Sequence, residues 1–169
     1  DFRSDYGVPR LDYPLFDTGA LRSFNRLVLH SGGQDWPYPP LTNWTLMRNQ
    51  LAARLAFEVG GYATRSQPVV LFLNGEPWGV YQLRERVDED FLADRYGIAD
   101  ADMLDSPESS LRETLMGDRA NWDHLMAFVE SHDLADPEAY AYVKSQVDID
   151  SFIDYNVIQI YSANTDWPA

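Results

Sequence analysis

Residues 68–86 read PVVLFLNGEPWGVYQLRER, and the Asn74-Gly75 pair near their centre decides how the chain is read. Two runs rich in β-branched and aromatic residues flank a dipeptide that accepts positive φ at both central positions of a type I′ turn. The spacing predicts a β-hairpin with a two-residue turn. Both runs are apolar enough to be expected in central rather than edge strands.

Working outward, FNRLVLHS (24–31) reads as a strand with a buried centre at Leu27-Val28-Leu29, and SGGQDWPYPP (31–40) as a loop. A helix is expected from Asn43, capped by Thr42 or Asn43. Trp44, Met47, Leu51 and Leu55 keep helical spacing, and Gly60-Gly61 ends it. The stretch 1–20 has no sustained period and is expected to be irregular, clamped by Tyr13, Leu15 and Phe16. After the hairpin, Asp88 opens a short helix that stops at Gly97. Trp122, Leu125, Met126 and Val129 form a helical stripe. Asp136-Pro137 is an N-cap followed by proline at the first helical position, with Tyr140, Val143 and Val147 behind it. Asp148 caps a last helix whose Ile149, Phe152, Ile153, Val157, Ile160 and Tyr161 cover more than one face, so it is expected inside a helical layer. Residues 105–118 are the most linker-like. The order of elements predicts an α+β fold, a small sheet lobe (strand, helix, β-hairpin) followed by a mainly helical lobe.

Composition bounds the function. The 169 residues suit about one domain, and 45% hydrophobic content is ample for a core. With 13 Lys+Arg against 27 Asp+Glu the net charge is −14, which argues against nucleic acid or an anionic membrane as partner. That charge fits cationic substrates or help from metal ions. No segment reaches the roughly 18 apolar residues of a membrane span. The absence of cysteine excludes disulfides, a thiolate zinc site and a Cys nucleophile.

Few residues stand out as chemistry. His30, His124 and His132 show no metal-ligand spacing, no G-x-S-x-G elbow occurs, and the Gly32-Gly33 pair reads as a turn. No metal ligand is nominated. Asp88, Asp136, Asp148 and Asp150 sit at helix starts, where capping and the helix dipole account for them. Asp166 differs because it follows an apolar helix, in Asn164-Thr165-Asp166-Trp167-Pro168. A loop aspartate on a rigid helix is how a fold presents a general base or metal ligand, although a structural turn is also open.

LDYPLF (11–16), RLVLHSGGQDW (26–36), RNQLAARL (48–55), PVVLFLNGEPWGVYQLRERVDEDFLADRYG (68–97) and FIDYNVIQIYSANTDWP (152–168) resemble successive blocks of the CotH (spore-coat protein H) kinase family. The resemblance implies an atypical protein-kinase-like fold that transfers phosphate from ATP, with Mg or Mn, to Ser/Thr of a Ser/Thr-rich protein substrate, for which the net charge favours a cationic one. It implies a bacterial protein of the spore coat or an extracytoplasmic, secreted setting. Residues 1–86 would belong to the small lobe, and 87–169 to the hinge-proximal helix and the helical lobe up to the catalytic loop. Leu83, Arg84 and Glu85, with Arg86 and Val87, would form the hinge that meets adenine, and Asp166 would orient the substrate hydroxyl and accept its proton. Arg48 is read as a phosphate contact or as an arginine whose stem packs on the core. Glu85 is read as a cleft residue or as a local ion pair with Arg84 or Arg86. Asn49 stands where the family commonly has Asp, and Gln34 where it has Asn. The family's phosphate-binding lysine and its later metal-holding segment are expected outside these residues. The chain is therefore expected to be the middle of a kinase domain, cut at both ends and inactive alone. Five Trp and ten Tyr keep a second reading open, a non-catalytic binding or coat-assembly module. A metal-dependent hydrolase would need a ligand spacing the sequence lacks.

Overall fold

In the computed structural model, which describes residues 1–16, 22–33, 35, 44–104, 114–165 and 167, Asn74 and Gly75 have φ of 53° and 88°. They join β4 (Ser66–Leu73) to β5 (Glu76–Glu85) as the hairpin expected of an Asn-Gly turn. A bulge between Leu71 and Phe72 shifts the register: Leu71 faces Gly79 and Phe72 faces Pro77, which leaves Trp78 unmatched. The strand expected over 24–31 forms as β3 (Leu27–His30), antiparallel to β5.

The sheet order is β3-β5-β4, so only one hairpin strand is central and β4 is an edge strand. This corrects the expectation that both would be central. Apolar content alone does not distinguish the two positions. The place of proline does, since it lacks a donor and is tolerated at an edge: Pro68 stands opposite Gln82, where β5 is paired on both sides, whereas Pro77 lies beyond the residues of β5 that β3 pairs. The Glu85 N–H donates to the Arg65 carbonyl at 3.0 Å, so alternation along the antiparallel ladder turns the N of Pro68 outward, away from β5.

Two short pairings were not foreseen. β1 (Leu11–Asp12) pairs with β2 (Ser23–Phe24), and Phe16 meets Phe24 edge-on in the buried part of this corner. Of the three expected clamps Phe16 is buried, whereas Tyr13 is exposed. β6 (Met103–Leu104) pairs with β7 (Thr114–Met116) at the flanks of the linker-like stretch, whose residues 105–113 lie outside the described ones.

The helices follow their local signals closely. α2 (Glu89–Tyr96) is capped by the Asp88 carboxylate, which accepts from the Phe91 N–H at 3.1 Å, and stops at Gly97 with φ of 70°. α3 (Ala120–Ser131) is followed by α4 (Pro137–Gln146) and α5 (Ile149–Tyr161), with Asp136 and Asp148 as side-chain caps of the last two. α1 (Arg48–Glu58) begins later than expected, because Leu46 sits at φ 59° and interrupts any helix entering from Trp44. The caps expected at Thr42 and Asn43 lie outside the described residues.

α5 also departs from expectation. Phe152, Ile153, Val157, Ile160 and Tyr161 are each more than half exposed, so the helix is not enclosed in a layer. A helix apolar on several faces needs neighbours on several sides, and its principal described neighbour is α1 alone. The result is an α+β fold whose small antiparallel sheet precedes most of its helices.

The turn can be tested directly. A Cβ on Gly75 would meet nothing within 4 Å, so a substitution there changes only backbone energy. Gly75→Ala should therefore lower unfolding free energy by about 1 kcal/mol in urea titration, with Gly75→Asn losing less. Equal midpoints for all three proteins would mean that the turn does not hold the register.

Candidate functional site

The C-terminal end of β5 is paired with strands on both sides, β3 and β4. The same alternation that turns Pro68 outward sends the backbone of Leu83 to Gln67 on β4 and that of Arg84 to Val28 on β3. Their polar groups are thus used within the sheet. Arg86 and Val87 are the first residues past the ladder, ahead of the Asp88 cap.

Glu85 is 3% exposed and works as a junction. One carboxylate oxygen accepts the Arg65 backbone N–H at 2.7 Å, and the other pairs with the Arg95 guanidinium on α2. Glu85 therefore pairs ten residues away, not with Arg84 or Arg86. Arg65 and Arg95 both lie over the Phe57 ring of α1, at 5.5 and 5.9 Å, and Arg95 also lies over Phe91 at 5.4 Å. Burial, and then the neighbouring Arg95 charge, lower the Arg65 pKa, while Glu85 opposes the shift. Tyr96 closes the cluster edge-on to Tyr62 and Phe91.

A second junction holds the start of α1. Gly32 has φ of 102°, and its carbonyl accepts the Asp35 N–H at 3.0 Å, so the diglycine forms a turn that presents Asp35. The Asp35 side chain, 5% exposed, accepts from the Thr45 N–H at 2.5 Å, the Thr45 hydroxyl at 2.8 Å and the Arg48 N–H at 3.0 Å. It caps α1 from thirteen residues upstream. Burial alone would raise this carboxyl. The N–H groups of Arg48 and Thr45, the Thr45 hydroxyl and the Leu46 N–H outweigh burial and hold it at about 2, against an ordinary 3.8. The Arg48 side chain, half exposed, lies 3.6 Å from the same carboxylate. Gln82, buried on β5, donates to the Leu46 carbonyl at 2.9 Å and ties this lead-in to the sheet.

Between α1 and the start of β4 lies a cavity of about 730 Å³, with Arg48, Gln50, Arg54, Phe57, Glu58 and Arg65 among its walls. Its volume is within the roughly 300–1,000 Å³ of small-molecule sites. Glu85 lines a different recess, of about 20 Å³, with Arg10, Arg26 and Asp88. The structure thus puts Arg48 in the wall of the large cavity. Leu83 and Arg84 lie within the sheet, and Glu85 lies in the buried junction behind it. Asp166 lies outside the described residues. Its neighbour Trp167 sits edge-on to Tyr155 of α5, with ring centroids 6.3 Å apart.

Sequence reading passed over Asp35, Arg65 and Arg95. An aspartate in a Gly- and Pro-rich loop reads as turn chemistry, and the two arginines acquire their role only when β4, β5 and α2 meet. A weak signal existed for Arg95, a cation one turn beyond Phe91 on the helix face that Phe91 buries. Among the described residues no group of three or more His, Asp or Glu side chains could hold a metal ion, and no helix is long and apolar enough to cross a membrane.

A model of the family described as CotH kinase protein matches residues 6–169. Neither a curated protein nor a solved structure matches the chain.

The Asp35 cap makes a pH prediction. A carboxylate whose folded pKa is depressed contributes stability that is complete above its unfolded value near 3.8 and is lost as pH falls toward 2. Asp35→Asn keeps the acceptor shape and removes the charge. Wild type should exceed it by about 2 kcal/mol at neutral pH in urea unfolding, and the gap should close between about pH 4 and pH 2. A gap that stays constant across that window would mean that the charge is not what caps α1.

Proposed function

Because the chain belongs to the CotH kinase protein family, we propose that it carries part of an atypical protein kinase that moves the γ-phosphoryl group of ATP to a Ser/Thr hydroxyl of a protein. The single observation that carries this reading is the match over residues 6–169, essentially the whole chain. The order of elements is consistent with it: sheet and helix first, then a strand end leading into helices.

In this reading Asp166 accepts a hydrogen bond from the substrate hydroxyl and then takes its proton. The hydroxyl oxygen forms a bond to the γ-phosphorus while the bond to the ADP oxygen breaks. Leu83, Arg84 and Glu85 act as the strand end that delivers Arg86 and Val87 to the adenine. Glu85 is a positioning residue here, fixed by Arg65 and Arg95. Arg48, in the wall of the large cavity, approaches the phosphates. Mg²⁺ or Mn²⁺ belongs to the reaction as the family implies it, but the described carboxylates do not form a site for it and no step here is assigned to it. The net charge of −14 favours a cationic protein substrate, and spore-coat or extracytoplasmic residence is part of the same proposal.

A second reading has its own observation. Val70, Phe72, Trp78 and Val80 on the distal hairpin and several apolar residues of α5 are exposed, which suits a non-catalytic binding or assembly module.

Radiolabelled phosphate transfer from ATP to a Ser/Thr-rich basic protein by the full-length protein that contains these residues, with Mg²⁺ or Mn²⁺ present, separates the two. Asp166→Asn should lower transfer at least about 10²-fold while ATP affinity changes little, because orientation and proton acceptance act on the chemical step. Equal rates for wild type and variant would remove Asp166 from catalysis. Absence of transfer in the wild type, with retained binding of a protein partner, would favour the module.

A further inference from the structure

The Glu85 junction carries more positive charge than it can balance. The Arg95 guanidinium pairs with Glu85, whereas Arg65 reaches that carboxylate only through its backbone N–H, so the charge of the Arg65 guanidinium is one cation in excess in the cluster. The Arg95 side chain is only 9% exposed and that of Glu85 2%. Hydrogen bonding is unbalanced in the same direction. Nη1 of Arg65, Nε of Arg95 and the hydroxyl of Tyr96 are all buried with no hydrogen-bond partner among the described residues. All three can donate, and two of them can only donate. Buried donors without acceptors are costly, and a buried unmatched cation is costlier still, so their coincidence in one cluster calls for an acceptor with negative charge.

The three groups are close together. Arg65 and Arg95 lie over the same Phe57 ring, and Tyr96 sits edge-on to Phe91, the ring that Arg95 also covers. Arg65 and Phe57 are also part of the wall of the 730 Å³ cavity, which brings that cavity up to one side of the cluster, while Arg95 and Tyr96 lie behind them. Arg48 and Arg54 stand along the same wall, where Arg54 is held by Glu58 at 2.6 Å and Arg48 by Asp35 at 3.6 Å. The wall therefore contains three arginines against one lining carboxylate, Glu58, in a chain that is otherwise strongly acidic. A planar guanidinium with free N–H groups matches the paired oxygens of a phosphoryl group.

We propose that the cluster of Arg65, Arg95 and Tyr96 binds a phosphoryl oxyanion that enters through the α1–β4 cavity, with Arg65 as its principal contact. The anion takes the donors that the protein leaves unused and neutralises the excess cation, while Glu85 keeps Arg95 in place. Free phosphate and the phosphate end of a nucleotide share this chemistry. The site does not require phosphoryl transfer, since a protein that transfers nothing can still hold the anion.

The test is thermal unfolding of the full chain in inorganic phosphate against sodium chloride at matched ionic strength, followed by titration calorimetry. Phosphate should raise the wild-type midpoint in proportion to its occupancy. Arg65→Leu removes the excess cation, so it should fold with at least wild-type stability in chloride and bind phosphate at least about tenfold more weakly. Tyr96→Phe deletes an unpartnered hydroxyl, should leave the fold intact and should weaken phosphate several-fold. Metal-free ATP, with adenosine as control, distinguishes the source: displacement of phosphate by ATP but not by adenosine assigns the site to a nucleotide's phosphates, and no displacement assigns it to free phosphate. A wild-type midpoint indifferent to phosphate, or an equal rise in wild type and Arg65→Leu, overturns the proposal. Should Arg65→Leu fail to fold, unchanged phosphate affinity in Tyr96→Phe overturns it. The transfer assay reports separately on the kinase reading.

Discussion

The carboxylate of Glu85 joins three segments of the chain. It accepts the N–H of Arg65 just ahead of β4, sits at the last residue of β5, and pairs with Arg95 in the final turn of α2. A buried pair of this kind adds little net stability compared with an apolar substitute, but removing one partner strands a charge at a cost of about 3–5 kcal/mol. Its main contribution is therefore geometric. Once Glu85 is seated, α2 has one position relative to the sheet. The N-terminal segment is then fastened to the same helix, through Arg10 to Asp94 at 3.0 Å and through Asn25 to Asp90.

What was legible in the sequence was what is decided within a few residues. The Asn74-Gly75 turn, the Asp88, Asp136 and Asp148 caps and the Gly97 stop each depend on neighbours in the chain, and each stands where its residues place it. What escaped was decided at a distance. α1 receives its cap from Asp35, thirteen residues ahead of Arg48, so no residue adjacent to the helix announced its start. β4 and β5 are both apolar runs, and the arrival of β3 on one side makes β5 the central strand. α5 shows the limit of composition as a guide. Its apolar faces describe what the helix can bury, not what is beside it.

The same division applies to the candidate site. The segment 83–87 was read as a hinge through a family resemblance, and its manner of holding was not legible, since Glu85 looks along the sequence to Arg84 and Arg86 and pairs in space with Arg95. The large cavity arises between α1 and the residues that lead into β4, two segments whose sequences carry no ligand motif. Charge is distributed unevenly as a consequence. The surface is acidic, while arginines gather behind β5 and along the wall of α1, a contrast that net charge alone conceals.

The outward-facing nitrogen of Pro68 has a bearing on how copies of this protein behave at high concentration. β4 leaves one side of the sheet unpaired, and such a border can template the addition of a foreign strand and so begin a fibril. An incoming strand meets a missing donor at Pro68 and then the bulge between Leu71 and Phe72. Only a short run of continuous pairing remains between them. The β4 border of the apolar hairpin is thus poorly suited to pairing edge to edge with another copy, even though the faces of the hairpin are exposed.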